Sequence, residues 1–190
     1  MREGTTARRA GIALCVSMAA SAIATLAAEE RSTVGSILQT FALSDQFDDR
    51  HVVAFPHDRP TLLCIADRKS SGDIGAWTRR IHKELPPGRC RVVGLAVIKG
   101  VPFFLRGMIQ GYFQKSGWVL MDWGGRVARE AGARSGACQV VLVDGQGVIR
   151  HVVYGPVDDK PFEELMAAFA AVETAAAPNP PSPPSSGRAR

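Results

Sequence analysis

The sequence predicts an α/β domain: a mixed central sheet with helices on both faces, closed by a C-terminal β-hairpin and a last helix. Three observations carry this. Thr61–Ala66, Arg91–Ile98 and Gln139–Val143 are short, nearly continuous apolar runs, the pattern of strands buried on both faces. Ile74, Trp77, Ile81 and Leu85 recur at steps of three, four and four, which marks one buried stripe of a helix. Asp144-Gly-Gln-Gly147 separates two apolar runs, a strong hairpin signal.

The elements follow in order. Ser36–Asp45 is a lead-in segment with Phe41 and Leu43 alternating inward, and Val52–Phe55 is a short strand ending at Pro56. After the Thr61–Ala66 strand comes the Ile74–Leu85 helix, which Pro86-Pro87-Gly88 terminates. The Arg91–Ile98 strand closes at Gly100 and Pro102. Phe103–Lys115 is helical but weakened by Gly107 and Gly111, and its Phe103, Phe104, Tyr112 and Phe113 read mostly as core, leaving at most an apolar edge for a partner. Trp118–Met121 is a strand, Asp122-Trp-Gly-Gly125 a turn, and Arg126–Ala131 a helix. Trp77 reads as core and Trp123, between an aspartate and two glycines, as an exposed contact residue. The last helix starts at Asp158 or Asp159, tolerates Pro161 in its first turn, and buries Phe162, Leu165, Met166 and Phe169. Right-handed crossovers then give the mixed sheet.

Both ends read as something other than domain. Arg2, Arg8 and Arg9 precede an uncharged, Ala/Ser-rich stretch over 10–28 that ends in Thr25-Leu-Ala-Ala28, the layout of a cleaved signal peptide. An uncleaved membrane anchor is the rival reading. Residues 175–190 contain Pro178-Asn-Pro-Pro-Ser-Pro-Pro-Ser-Ser186, expected as an extended, disordered tail. The domain is therefore 29–174. Of the formal net charge of +5, three Arg against one Glu in 1–28 and two Arg in the tail account for four, which leaves +1 for the domain. Nothing basic enough to favour nucleic acid remains. Export predicts a periplasmic, oxidising setting. Cleavage leaves Cys64, Cys90 and Cys138, an odd number with no C-x-x-C pair, and His51, His57, His82 and His151 are scattered. No metal or cofactor is expected.

Residues 41–169 resemble the thioredoxin-like superfamily on its redoxin side, the peroxiredoxin and TlpA-like proteins. Gly136-Ala-Cys-Gln-Val-Val-Leu-Val-Asp-Gly-Gln-Gly147 is similar to the redoxin segment in which a glycine and a cis-proline precede a buried strand and hairpin. Trp118–Ala133 is similar to the strand, aspartate, turn and helix before it, and Thr61–Asp73 to the strand that delivers the reactive cysteine pair. Ala66-Asp-Arg-Lys-Ser-Ser71, Arg106–Ser116 and Val141–Gly147 look most like the YtfJ-type periplasmic proteins, which lack the thiol motif. Two departures matter. Ser70-Ser-Gly-Asp73 stands where the pair would be, and Cys138 stands where the cis-proline would be, so Ala137–Cys138 is expected to be trans.

That leaves two candidate sites. Arg68, Lys69, Ser70, Ser71 and Asp73 surround a helix N-terminus that would accept a small anion such as phosphate or a peptide carboxylate. The plainer and preferred reading makes Ser70 or Ser71 an N-cap worth about 1 kcal/mol, with Asp73 facing the helix dipole. Cys138 is the second candidate. With Arg68 and Lys69 close by it would have a lowered pKa and act as a catalytic thiol. Its plainer reading is a small residue filling the proline's place. Cys64 reads as inert core, and Cys90 as a possible partner for it. Two functions follow: a non-catalytic periplasmic module that binds a protein, peptide or small anion, or an atypical thiol-disulfide oxidoreductase or peroxidase-like enzyme using Cys138 with another thiol. Loss of both signature elements favours the first. Contact with a membrane is expected only if residues 1–28 are retained.

Overall fold

A computed structural model describes residues 33–114 and 117–176. The expected signal peptide and nearly all of the expected tail lie outside the described residues. The order is β1 (Phe41–Ser44), β2 (Arg50–Val53), β3 (Thr61–Asp67), α1 (Ser71–Glu84), β4 (Arg91–Val97), a 3-10 turn (Phe103–Leu105), α2 (Arg106–Phe113), β5 (Val119–Asp122), α3 (Arg126–Glu130), β6 (Gln139–Val143), β7 (Ile149–Tyr154) and α4 (Asp159–Ala176). Each central run is indeed a strand. The lead-in segment adds one more, because Phe41 is sequestered against the sheet and β1 pairs antiparallel with β2 in a separate small sheet.

The main sheet runs β5-β4-β3-β6-β7. β3, β4 and β5 are parallel, linked by helical crossovers, while β6 and β7 are antiparallel. The period-2 alternation sorts β3 between two cores. Leu63 and Ile65 face a layer closed by Val127 and Ala128 of α3, by Ala131 just after it, and by Phe41 and Val53 of the hairpin. Leu62, Cys64 and Ala66 face a layer closed by α1 (Trp77, Ile81) and α4 (Phe162, Leu165, Phe169). The Trp77 indole donates to Gly155 O at 2.9 Å, so its one polar atom is satisfied in the core.

Two expectations fail on the β5 side. Phe103, Phe104 and Tyr112 are 82%, 80% and 74% exposed, not core. The eight-residue α2 reaches the β5 side of the sheet through Phe113, which packs on Ala96, Val119 and Met121, and its other aromatics point away. Trp123 is half-buried against the same cluster under the Arg106 guanidinium, 4.8 Å from the ring centroid, so it is less exposed than its glycine neighbours suggested. The turn after β5 is held by Asp122, whose carboxylate accepts Arg126 N–H and Ala128 N–H at 3.0 Å each, with Gly125 in the left-handed region at φ 62°.

Candidate functional site

β3 delivers its last residue, Asp67, to the corner where the reactive loop of a thiol oxidoreductase would lie. One carboxylate oxygen accepts Lys69 N–H (2.9 Å), Ser70 N–H (3.2 Å) and the Ser70 hydroxyl (3.0 Å). The other accepts Gly136 N–H (2.6 Å) and the Ser135 hydroxyl (3.2 Å). The first set is an Asx-type turn, a side chain imitating backbone. The second crosses to the loop before β6. One carboxylate thus fastens the loop ahead of α1 to the loop ahead of Cys138. Burial raises its pKa, but the bonds from Gly136, Ser70 and Lys69 outweigh that and hold it below the ordinary carboxylate value.

This clamp uses the atoms that the anion reading required. The buried Ser70 hydroxyl donates to Asp67 and accepts Asp67 N–H at 3.1 Å. The Ser71 hydroxyl donates to Arg68 O at 3.3 Å. Neither serine caps α1 by its side chain, so the preferred N-cap reading is also corrected: Ser70 occupies the cap position with its hydroxyl already committed to a charged acceptor. Arg68 and Lys69 remain exposed and Asp73 sits half-exposed in the first turn.

Cys138 lies beneath this corner, fully buried in the α1/α4 core, and its backbone oxygen accepts Gly155 N–H at 2.7 Å. Its thiol is pushed up to about 12 by burial and then by Asp73. That reverses the expected lowering: the neighbouring charge that acts on it is the helix aspartate, not Arg68 or Lys69. Cys64 is also driven to about 12, by burial and by Cys138. Cys90 is half-exposed and raised by burial and by Glu173. All three are free thiols, so the suggested Cys64–Cys90 pairing is not made. Among the described residues the cis peptide is Phe55–Pro56, and Ala137–Cys138 is trans as the loss of proline implies. Disulfide exchange needs an accessible thiolate, and Cys138 and the neighbouring Cys64 are both buried with raised pKa values.

A second polar cluster escaped the sequence reading. Buried Asp45 accepts Phe47 N–H (2.8 Å) and Asp49 N–H (3.1 Å) and meets His51 Nε2 at 2.8 Å. Burial raises the Asp45 pKa, while the bonds from His51, Phe47 and Asp49 lower it by more. An ionised Asp45 assigns the Nε2 proton to His51. The Trp118 indole N–H, 2.9 Å from that same nitrogen, then cannot donate to it, and the pair meets instead as an edge-on ring contact with centroids 4.6 Å apart. Asp67 could have been found from its spacing, Asp-x-x-Ser at a strand end. Asp45 and His51 are joined only by the β1–β2 pairing, which no local pattern displays.

Among solved structures the likeness is to one fold. A protein of Sinorhizobium meliloti 1021 of no stated function superposes with a TM-score of 0.54 at 18% identity, over 75% of this chain and 85% of that one. Peroxidoxin BcpB of Mycobacterium tuberculosis gives 0.51 at 15%, over 73% and 97%. The exposed lipoprotein thioredoxin of Streptococcus pneumoniae gives 0.50 at 16%, over 68% and 97%. The chain has the thioredoxin-like fold. No family model and no curated protein matches the sequence. No described helix is long and apolar enough to cross a membrane.

Proposed function

We propose that this chain is a non-catalytic thioredoxin-fold binding module of the periplasm, exported by residues 1–28 and of the YtfJ type. The observation that carries the reading is the Asp67 clamp. Where the resemblance places a nucleophilic thiol this chain has Ser70, and its hydroxyl is bound to an ionised carboxylate, Asp67, that carries five donors above two thiols whose pKa values lie near 12. A group so fully occupied has no lone pair positioned for proton transfer. Support for export is the leader-like pattern of the first 28 residues. The expected ligand is a protein, a peptide or a small anion recognised at the rim by Arg68 and Lys69, which the clamp leaves exposed.

Insulin reduction and peroxide consumption, each with a Cys138→Ser control, test the reading. No thiol-dependent turnover is expected. Turnover lost in the control would instead establish an atypical thiol enzyme working through Cys138. On the binding side, a rise in melting temperature with millimolar phosphate or citrate that Arg68→Ala and Lys69→Ala abolish would identify the anion class.

A further inference from the structure

β3, β4 and β5 run parallel, so their carboxyl ends share one edge of the sheet. Open α/β sheets leave their ligand crevice at that edge. Here each strand end brings cations to it. Arg68 and Lys69 follow β3, which ends at Asp67, and both are exposed. Lys99 follows β4, which ends at Val97, and is exposed too. β5 ends at Asp122, and the turn after it gathers two more. Arg129 donates to Gly124 O at 2.8 Å, and the Arg106 guanidinium lies over Trp123. Gly125 joins the last two strand ends. A Cβ at this position would run into Lys99 Cε, so glycine lets the lysine stem cross from the end of β4 onto the turn after β5.

The acids of these loops are committed or outnumbered. Asp67 bonds its own loop and the loop before β6, and Asp122 bonds the first turn of α3. Glu130 is matched by Arg126. Asp73, half-exposed in the first turn of α1, is left against five cations (Arg68, Lys69, Lys99, Arg106, Arg129) that form no ion pair among the described residues. Asp158 and Asp159 lie past β7, the far strand of the sheet, and Arg80 holds Asp159. Asp48, bonded to Gln110, belongs to the hairpin loop that Gln46 fastens to Val119 N–H and Gly117 O at the start of β5, away from this edge.

We infer that this row of cations binds an acidic peptide segment in extended form. The inference rests on the proposed binding role and names its ligand class. Span selects the ligand. The row is anchored on three neighbouring strand ends, about 10 Å apart from first to last at ordinary strand spacing. One compact anion meets only part of it. An extended chain places acidic side chains two residues apart on one face, roughly 6–7 Å from each other, and so follows the row. Charge complementarity of this kind sets partner choice and encounter rate.

The probe is a fluorescein-labelled peptide, Glu-Ser-Glu-Ser-Glu with blocked ends, and its control has glutamine for every glutamate. Anisotropy with the full chain should show the acidic probe bound at least about tenfold more tightly than the control, and weakened as salt rises. Lys99→Gln/Arg129→Gln and Arg68→Gln/Lys69→Gln should each weaken it at least about threefold. All four residues are exposed, so melting temperatures should hold. In the unaltered protein, bound peptide should slow amine acetylation at both Lys69 and Lys99, read by mass spectrometry. Equal binding of probe and control, or binding of neither, overturns the inference. So does acetylation of Lys99 that the peptide leaves unchanged. Binding lost in the Arg68/Lys69 variant but kept in the Lys99/Arg129 variant also overturns it, while the corner reading stands; the phosphate melting test judges that reading separately.

Discussion

Replacing Asp67 with asparagine removes one charge, alters almost no volume, and puts an amide nitrogen where one of two fully used oxygens stood. The amide oxygen can retain the Lys69 and Ser70 donors. The nitrogen then faces Gly136 N–H, which in the parent makes the shortest of the five contacts at 2.6 Å. The Ser135 hydroxyl can turn and accept, but a backbone N–H cannot. The variant therefore loses one charge-assisted bond between the loops, and the remaining bonds become neutral. A hydrogen bond to a charged group contributes about 1.5–3 kcal/mol, and partial exposure of Asp67 places the net loss near the lower half, about 2 kcal/mol. For a domain of this size that corresponds to a fall in melting temperature of roughly 4–8 °C.

The pH dependence separates this account from a packing defect. Asp67 is depressed below its ordinary value of 3.8. A depressed carboxylate contributes stability above its unfolded pKa and loses it as pH falls through the folded pKa. The gap between parent and Asp67→Asn should therefore be constant from about pH 7 to about pH 5, and close progressively below about pH 4 as the parent's own carboxyl protonates. Thermal melts followed by near-ultraviolet circular dichroism across that range measure it. A gap within about 1 °C at neutral pH, or one equally large in acid, would refute the claim that an ionised clamp joins the two loops.

Other consequences are checked as directly. In thiol labelling of the native protein Cys90 should react well before Cys64 and Cys138, since a thiol near 12 holds about a thousandfold less thiolate than one at its ordinary value of 9.0; mass spectrometry that finds Cys138 labelled first contradicts the burial described above. Trp77→Phe should cost about 1–2 kcal/mol in urea unfolding, because Gly155 O loses its indole donor in a dry core, and Leu165→Ala about 2–5 kcal/mol through the cavity it leaves. Asp122→Ala should cost about 1–2 kcal/mol by releasing the first turn of α3, read in the same unfolding experiment.

What the sequence made legible, and what it hid, divide along a physical line. Strands buried on both faces carry their signature in their own residues, so Thr61–Ala66, Arg91–Ile98 and Gln139–Val143 could be read locally, and so could the α1 and α4 stripes. The 103–113 segment fooled that logic because aromatic content reports a demand for cover without saying what supplies it. Of the segment's aromatics, Phe113 alone finds cover within the domain. The corner was misread for a related reason. Its residue types were those of a cap and an anion site, and the competition for the Ser70 hydroxyl was decided by a carboxylate three positions upstream whose second oxygen is held by Ser135 and Gly136, almost seventy residues away. A neutral cap bond lost to a charged acceptor that two loops share. The same contest fixes the loop, because the Ser70 hydroxyl is committed to Asp67 rather than to the helix. Thioredoxin-like geometry brings the end of β3 and the start of β6 together, and whatever joins them there fixes what the corner can do. The Asp67 bridge occupies that junction, and Arg68 and Lys69 stand exposed beside it.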